Sequence, residues 1–208
     1  MENPARDSTW PTVLRPPLIL ASTSPYRRDL LARLRLPFAV RAPDVDEAAL
    51  AGEVPPALAL RLAFAKARAV ARLEPHAVVI GSDQVADLDG LALGKPGSQQ
   101  RAVKQLQAMS GRSVVFHTAV AVVRSLPAYE ASALVAVTVR MRCLSSAEIE
   151  RYVALERPFD CAGSAKSEAL GIALLESIES DDPTALIGLP LIRTCAMLRE
   201  AGLDPLGG

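Results

Sequence analysis

Asp83 stands two residues beyond the uncharged run Ala77-Val-Val-Ile-Gly81. A carboxylate presented where such a run ends can hold a divalent cation or take the proton of a water attacking phosphorus. Asp44, Asp46 and Glu47 form an acidic cluster that could share that cation, because a hard ion such as Mg²⁺ takes oxygen ligands. A turn aspartate and a solvated acidic loop would account for the same residues. The second chemical stretch is Ser22-Thr-Ser-Pro-Tyr-Arg-Arg28, where hydroxyls and two adjacent arginines follow the apolar run Leu18-Ile-Leu-Ala21. A helix opening there would offer free N–H groups to an anion, and Arg27 and Arg28 oppose the usual preference for acidic first turns. A phosphate ligand would compensate; an N-cap followed by two solvated arginines is an equal reading.

Of the 23 basic residues, only four are lysines, at positions 66, 95, 104 and 166. Lys66 follows Leu62 by four residues and precedes Ala69 by three, so it falls on or beside the apolar stripe of a helix. There it either snorkels to water or points into a cleft. Lys95 in Gly94-Lys-Pro and Lys166 in Ala162-Gly-Ser-Ala-Lys-Ser-Glu168 belong to loops, where a point charge reaches phosphate as readily as it faces solvent. His76 and His117 are far apart, and Cys161 has no evident base beside it. GxxxxGK[ST], GxGxxG and HExxH are absent.

The elements that must position these residues follow from periodicity. Leu18–Ala21 and Ala77–Gly81 read as buried strands ending in the polar turns Ser22–Pro25 and Ser82–Gln84. A helix is expected over about 26–35, with Leu30, Leu31 and Leu34 on one side. Pro55-Pro56 opens another, running to about Leu73 and burying Leu58, Leu62, Ala65 and Ala69. Asp89-Gly90 marks a hairpin turn, 99–109 a helix and 113–123 a strand. Val135, Val137, Val139 and Met141 alternate with polar residues as in a strand antiparallel to 113–123. Ser145 and Glu148 form a capping box, 158–168 is a polar loop, and a last helix starts near Leu189-Pro190. These elements predict a single α/β domain with a mixed, twisted central sheet flanked by helices and a cleft at strand ends. It spans residues 17–208 behind a loose extension at 1–16.

Composition narrows the function classes. The 208 residues are half hydrophobic, enough for one full core, and 23 basic residues balance 23 acidic ones. Zero net charge argues against a nucleic-acid polymer as partner. The longest uncharged stretches are far short of the ~20 residues of a membrane span, and the N-terminus lacks the apolar core of a signal peptide. Cys143, Cys161 and Cys195 suit neither a disulfide framework nor a zinc site. The expectation is a cytoplasmic protein.

The turns together resemble the Maf family of nucleoside triphosphate pyrophosphatases, from about Leu18 to Leu206. LILASTSPYRRDLL is similar to that family's opening phosphate-binding signature, and VVIGSDQV with LGKP to its catalytic strand and following loop. CAGSAKSEALG and DPTALIGLPL are similar to its two C-terminal signatures. The resemblance implies Asp83 as general base and Ser22, Arg27, Arg28, Lys66, Lys95 and Lys166 as the triphosphate grip. Glu47 and Asp83 would contact a divalent cation, Mg²⁺ or Mn²⁺. It further implies scission between the α and β phosphorus atoms, and a homodimer by family analogy. An aromatic at Tyr26 with Gln84 and Glu168, in place of the Arg, Thr and Gln of the dTTP/UTP branch, resembles the branch acting on 7-methyl-GTP. The usual aromatic there is Trp; Tyr26 retains a π-face suited to a cationic methylated purine. Glu168 would accept from the guanine edge or offset its charge. The same reaction on dTTP, UTP or another modified nucleotide is the alternative. A different class is a nucleotide-binding regulator of septum formation with little turnover. Asp83 favours catalysis, since a pure binder gains nothing from an unpaired carboxylate near a triphosphate.

Overall fold

The computed structural model describes residues 15–207, so residues 1–14 of the expected extension lie outside the described residues. Arg15 already belongs to the body, donating to the Gly207 carbonyl at 2.6 Å.

One sheet organises the described chain. In chain order its strands are β1 (Leu18–Ala21), β2 (Ala39–Arg41), β3 (Val78–Leu88), β4 (Leu91–Leu93), β5 (Ser113–Arg124), β6 (Tyr129–Met141) and β7 (Leu175–Glu179). Their spatial order is β2-β1-β3-β5-β6-β7, with β4 also paired to β3. β1 is parallel to β2 and β3; all other pairings are antiparallel, giving the mixed sheet expected. The long β5–β6 ladder carries the predicted alternation, with Val135, Val137, Val139 and Met141 all buried. The β3–β4 turn at Asp89-Gly90 has φ of 53° and 85°, the doubly positive pair of a tight hairpin that Asp and Gly tolerate.

Among the described residues, five α-helices flank the sheet: α1 (Pro25–Ala32), α2 (Pro55–Ala71), α3 (Gln99–Met109), α4 (Ser146–Glu156) and α5 (Leu191–Glu200). α2 begins with two prolines, harmless in a first turn that has no intrahelical N–H bonds to lose, and continues in Ala and Leu. It lies on the face carrying Val79, Val85, Ala119 and Ala121, whereas α1 and α5 cover the Val78, Ile80, Val120 and Val122 face. α3 and α4 continue that second face around Phe116, Val137 and Met141. The Ser145–Glu148 capping box is present at the start of α4.

Two expectations need correction. The buried stripe of α2 is Leu58, Ala59, Leu62, Ala63, Lys66, Ala67, Val70 and Ala71, and Ala65 and Ala69 are only half-buried. The helix is rolled because Gly81 admits it closely: a Cβ there would lie 2.2 Å from the Ala63 carbonyl oxygen. Ser82-Asp83-Gln84 is not a turn either. It is the middle of the 11-residue strand β3, held there by continuous pairing to β5.

Candidate active site

β3 explains why a site forms at this place. On its β1 side, pairing stops at Gly81, and pairing with β4 begins only at Ala86. Between those points β3 has a strand partner on the β5 side alone. The gap exposes one edge of the sheet, so residues from both its faces reach the same cleft, about 530 Å³ in volume. That size suits a small-molecule ligand.

On the α2 face, Asp83 is 8 % exposed and Lys66 4 % exposed. Lys66 Nζ donates to Asp83 Oδ1 at 2.6 Å and pairs with Glu47 Oε1 at 2.7 Å. Asp83 is therefore not the unpaired carboxylate expected from the sequence; one buried ammonium holds it together with Glu47. Burial by itself would raise the Glu47 carboxyl, but the hydrogen bond and charge of Lys66, aided by Lys95 and Arg27, hold it below its usual value. Asp46 instead closes its own turn through the Ala48 N–H at 2.9 Å. The described residues contain no group of three or more His, Cys, Asp or Glu gathered as for a metal.

The β1–α1 turn forms the adjoining wall. Ser22 Oγ accepts from the Ser24 N–H at 3.1 Å, and Ser24 caps α1 through the Arg27 N–H at 3.4 Å. Arg27 donates from Nε to the Gly188 carbonyl at 2.8 Å. Burial lowers its guanidinium from the ordinary value while the Asp83 and Glu47 carboxylates oppose that shift, and it stays charged as guanidinium does. Lys95, beyond β4, faces the same cleft. Ser22, Arg27, Lys66, Lys95, Asp83 and Glu47 are thus brought together.

Gln84 lines the cleft from the opposite face of β3. Its amide nitrogen donates to Thr118 Oγ1 at 2.9 Å, the Ala185 carbonyl at 3.1 Å and the Leu186 carbonyl at 2.9 Å. The two carbonyls can only accept, so the amide is oriented and its oxygen is left for the cleft. Tyr26 sits at the mouth, its hydroxyl donating to Asp160 Oδ2 at 3.2 Å. Burial raises the phenol, with Asp160 adding to the shift and Lys166 opposing it.

Three expected site residues are placed elsewhere. Arg28 is 57 % exposed, outside the cleft, and pairs with Asp29 at 3.1 Å. Lys166 lies behind the mouth rather than in its lining, 5.7 Å from the Tyr26 ring centroid and 3.4 Å from Asp160 Oδ1. Glu168 is an exposed residue off the cleft lining; partial burial of its carboxyl, with Asp160 and Glu156 nearby, raises its pKa.

The structure adds residues that the sequence did not single out. Gly188 (φ 117°) offers its carbonyl to Arg27 Nε and lies 2.9 Å from Ser82 Oγ. Fully buried Asp182 accepts from Thr184 Oγ1 at 2.9 Å and from the Ile192 N–H at 2.9 Å, tying the segment before Gly188 to the start of α5. Both belong to the stretch DPTALIGLPL, where a run of Pro and Gly after an Asp was the available signal.

A family model described as Maf-like protein matches residues 17–201. A protein of Polaromonas sp. (strain JS666 / ATCC BAA-500) named 7-methyl-GTP pyrophosphatase is 65% identical over 204 residues, 97% of this chain and 93% of its own. Proteins of that name from Albidiferax ferrireducens and Methylobacillus flagellatus are 66% and 57% identical, each over 91% of this chain and 96% and 98% of their own.

Proposed function

The chain belongs to the Maf-like proteins, and from that premise we propose that it is a nucleoside triphosphate pyrophosphatase converting 7-methyl-GTP and water to 7-methyl-GMP and diphosphate. The observation that carries this reading is the Lys66–Asp83 contact at 2.6 Å on the floor of a cleft that Arg27 and Lys95 also face. A carboxylate within a ring of cations suits the activation of water next to a polyphosphate, because the cations hold the anion that the carboxylate alone would repel.

Asp83 accepts the proton of the attacking water as its oxygen bonds to the α-phosphorus, and the bond to the bridging oxygen breaks with diphosphate leaving. Lys66 holds Asp83 in place through its 2.6 Å contact. Arg27, Lys95 and the α1 N-terminal turn at Ser22 oppose the charge that grows on the phosphoryl oxygens. Glu47 and Asp83, the two carboxylates that Lys66 contacts, would hold Mg²⁺ or Mn²⁺, ions that take oxygen ligands. Such a cation supplies Lewis-acid polarisation of the phosphate oxygens. Tyr26 and Gln84 read the base from the mouth and the far wall. Arg28 and Lys166 would act only at the rim, on a substrate reaching past the cleft.

No described helix is long and apolar enough to cross a membrane. A cytoplasmic homodimer, with residues 17–208 as the catalytic domain behind the 1–16 extension, completes the proposal. Diphosphate release across the common triphosphates and 7-methyl-GTP, with and without Mg²⁺ or Mn²⁺, tests it. Preference for 7-methyl-GTP that vanishes on chelation is expected. Preference for dTTP or UTP would overturn the base assignment. In Asp83→Asn, turnover should fall about 10²–10⁴-fold with nucleotide binding retained; a variant that still turns over would overturn the catalytic assignment. No release from folded native protein would point to a nucleotide binder.

A further inference from the structure

Two walls of the cleft are joined from behind by a side chain that is not part of its lining. Gly94 and Lys95, which follow β4, line one side, and Asp160, Cys161 and Ala162 line another. Gln105 of α3 spans the two. Its Nε2 donates to the Gly94 carbonyl at 3.0 Å, and its Oε1 accepts from Ser164 Oγ at 2.6 Å. The carbonyl can only accept, so the amide has one orientation and the Ser164 hydroxyl must donate. α3 gives this clamp a firm base, because Ala102, Leu106 and Met109 are buried in the core around Phe116 and Val137. At the other end Ser164 is fully buried with φ of 56°, a left-handed conformation that a residue other than glycine keeps only where its surroundings enforce it. The short bond to Gln105 is one such constraint.

We infer that Gln105 is a positioning residue for Lys95, tying the loop that carries this cation to the Ser164 segment across the cleft. The inference rests on the reading of Lys95 as part of the phosphate grip. The Gly94–Ser98 loop between β4 and α3 is anchored at two points that flank Lys95. Gln105 holds the Gly94 carbonyl, and the Gly97 N–H donates to the Phe159 carbonyl at 3.0 Å. Packing does not do the holding at Gly94, since even an added Cβ would meet nothing within 4 Å. Lys95 is exposed and has a flexible four-carbon stem, so its backbone decides where the ammonium stands. A cation placed in advance meets phosphoryl charge without reorganising. A loop ordered only by the ligand would lose affinity to its own ordering.

The test compares two variants. Gln105→Met removes both bonds and adds no charge, whereas Gln105→Glu keeps an acceptor for Ser164 and loses only the donor to Gly94. In each, kcat/KM for 7-methyl-GTP with Mg²⁺ should fall about tenfold, the weight of one hydrogen bond from a charged group. Calorimetric binding of inorganic diphosphate should weaken by a similar factor, with no turnover involved. Made in a Lys95→Met background, the same substitutions should lower neither quantity further, because the cation they position is gone. Losses of equal size with and without Lys95 would mark a purely structural role and overturn the assignment. Native values of both quantities in either folded variant would overturn it too. Should Gln105→Met fail to fold, Gln105→Glu carries the test alone. A native protein that releases no diphosphate from any nucleotide overturns the pyrophosphatase reading instead, and the diphosphate titrations then decide the role of Gln105 separately.

Discussion

Replacing Lys66 by Met removes one charge, keeps most of the side-chain volume and leaves Asp83 at the floor of the cleft with no cation in contact. Breaking a buried ion pair by deleting one partner costs about 3–5 kcal/mol, most of it from the stranded charge. Here the figure is lower. Glu47 is half-exposed and recovers its hydration, and Asp83, 11 % exposed at its side chain, opens on a wet cleft. About 2–3 kcal/mol is therefore expected. For a chain of this size each kcal/mol shifts the melting midpoint by about 2–4 °C, so Lys66→Met should melt about 5–10 °C below the native protein. The diagnostic step is the double variant Lys66→Met/Asp83→Asn. It no longer strands a charge and should regain about half of the lost stability while its diphosphate release stays abolished. Thermal and urea unfolding followed by circular dichroism measures both. A single variant within about 0.5 kcal/mol of native, or single-site losses that simply add in the double variant, would refute the reasoning, because coupled residues must show a non-additive term.

Gly81→Ala should be among the most damaging small substitutions, because its Cβ would meet the Ala63 carbonyl at 2.2 Å and the Ala67 nitrogen at 2.6 Å, both backbone atoms of α2. A loss of at least about 2 kcal/mol is expected, with turnover falling further as Lys66 is carried away from Asp83; an unchanged melting midpoint would refute the close packing. Glu47 is held below its usual pKa, so its stabilisation is complete above the unfolded carboxylate value and is lost as pH falls through the lower folded one. Glu47→Gln should flatten the acid limb of stability below the ordinary carboxylate value, and an equally steep limb in melts over that acid range would count against it. The Cys161 thiol is pushed up to about 12, chiefly by burial and then by Asp160, whereas Cys143 is exposed. Iodoacetamide at neutral pH should modify Cys143 well before Cys161, since only the thiolate reacts; peptide mapping showing the reverse order would contradict this environment.

Much of the fold was legible because its signals are local. The capping box at Ser145 and Glu148, the Asp89-Gly90 turn and the alternation of Val135 to Met141 each depend on neighbouring residues alone. The site was legible where helical spacing spoke for it. Lys66, four residues from Leu62, does lie on the buried stripe, although Gly81 lets α2 roll so that Ala63 and Ala67 are buried in place of Ala65 and Ala69. The turn expected at Ser82–Gln84 is strand instead, because what keeps Ser82–Val85 extended is pairing with Val120–His117, more than 30 residues away. The Tyr26–Asp160 contact left no trace in the sequence, because it joins residues 134 positions apart.

That long-range pairing accounts for the location of the cleft. A strand paired along both edges would bury Asp83 against α2 with no route for a nucleotide. A strand that ended at Gly81 would leave the carboxylate on a loop, free of Lys66. β3 does neither. It loses β1 after Gly81 and gains β4 at Ala86, while β5 holds it rigid throughout. The carboxylate is then as fixed as a core residue and as reachable as a surface one. The Gly188 carbonyl extends that rigidity to the phosphate wall. It accepts from Arg27 Nε at 2.8 Å and lies 2.9 Å from Ser82 Oγ, the residue next to Asp83. On the proposed mechanism, the cation that would meet the anion and the strand that would carry the base are thereby referenced to one backbone atom. Fixing both before the substrate arrives is what a transition state stabilised by charge requires.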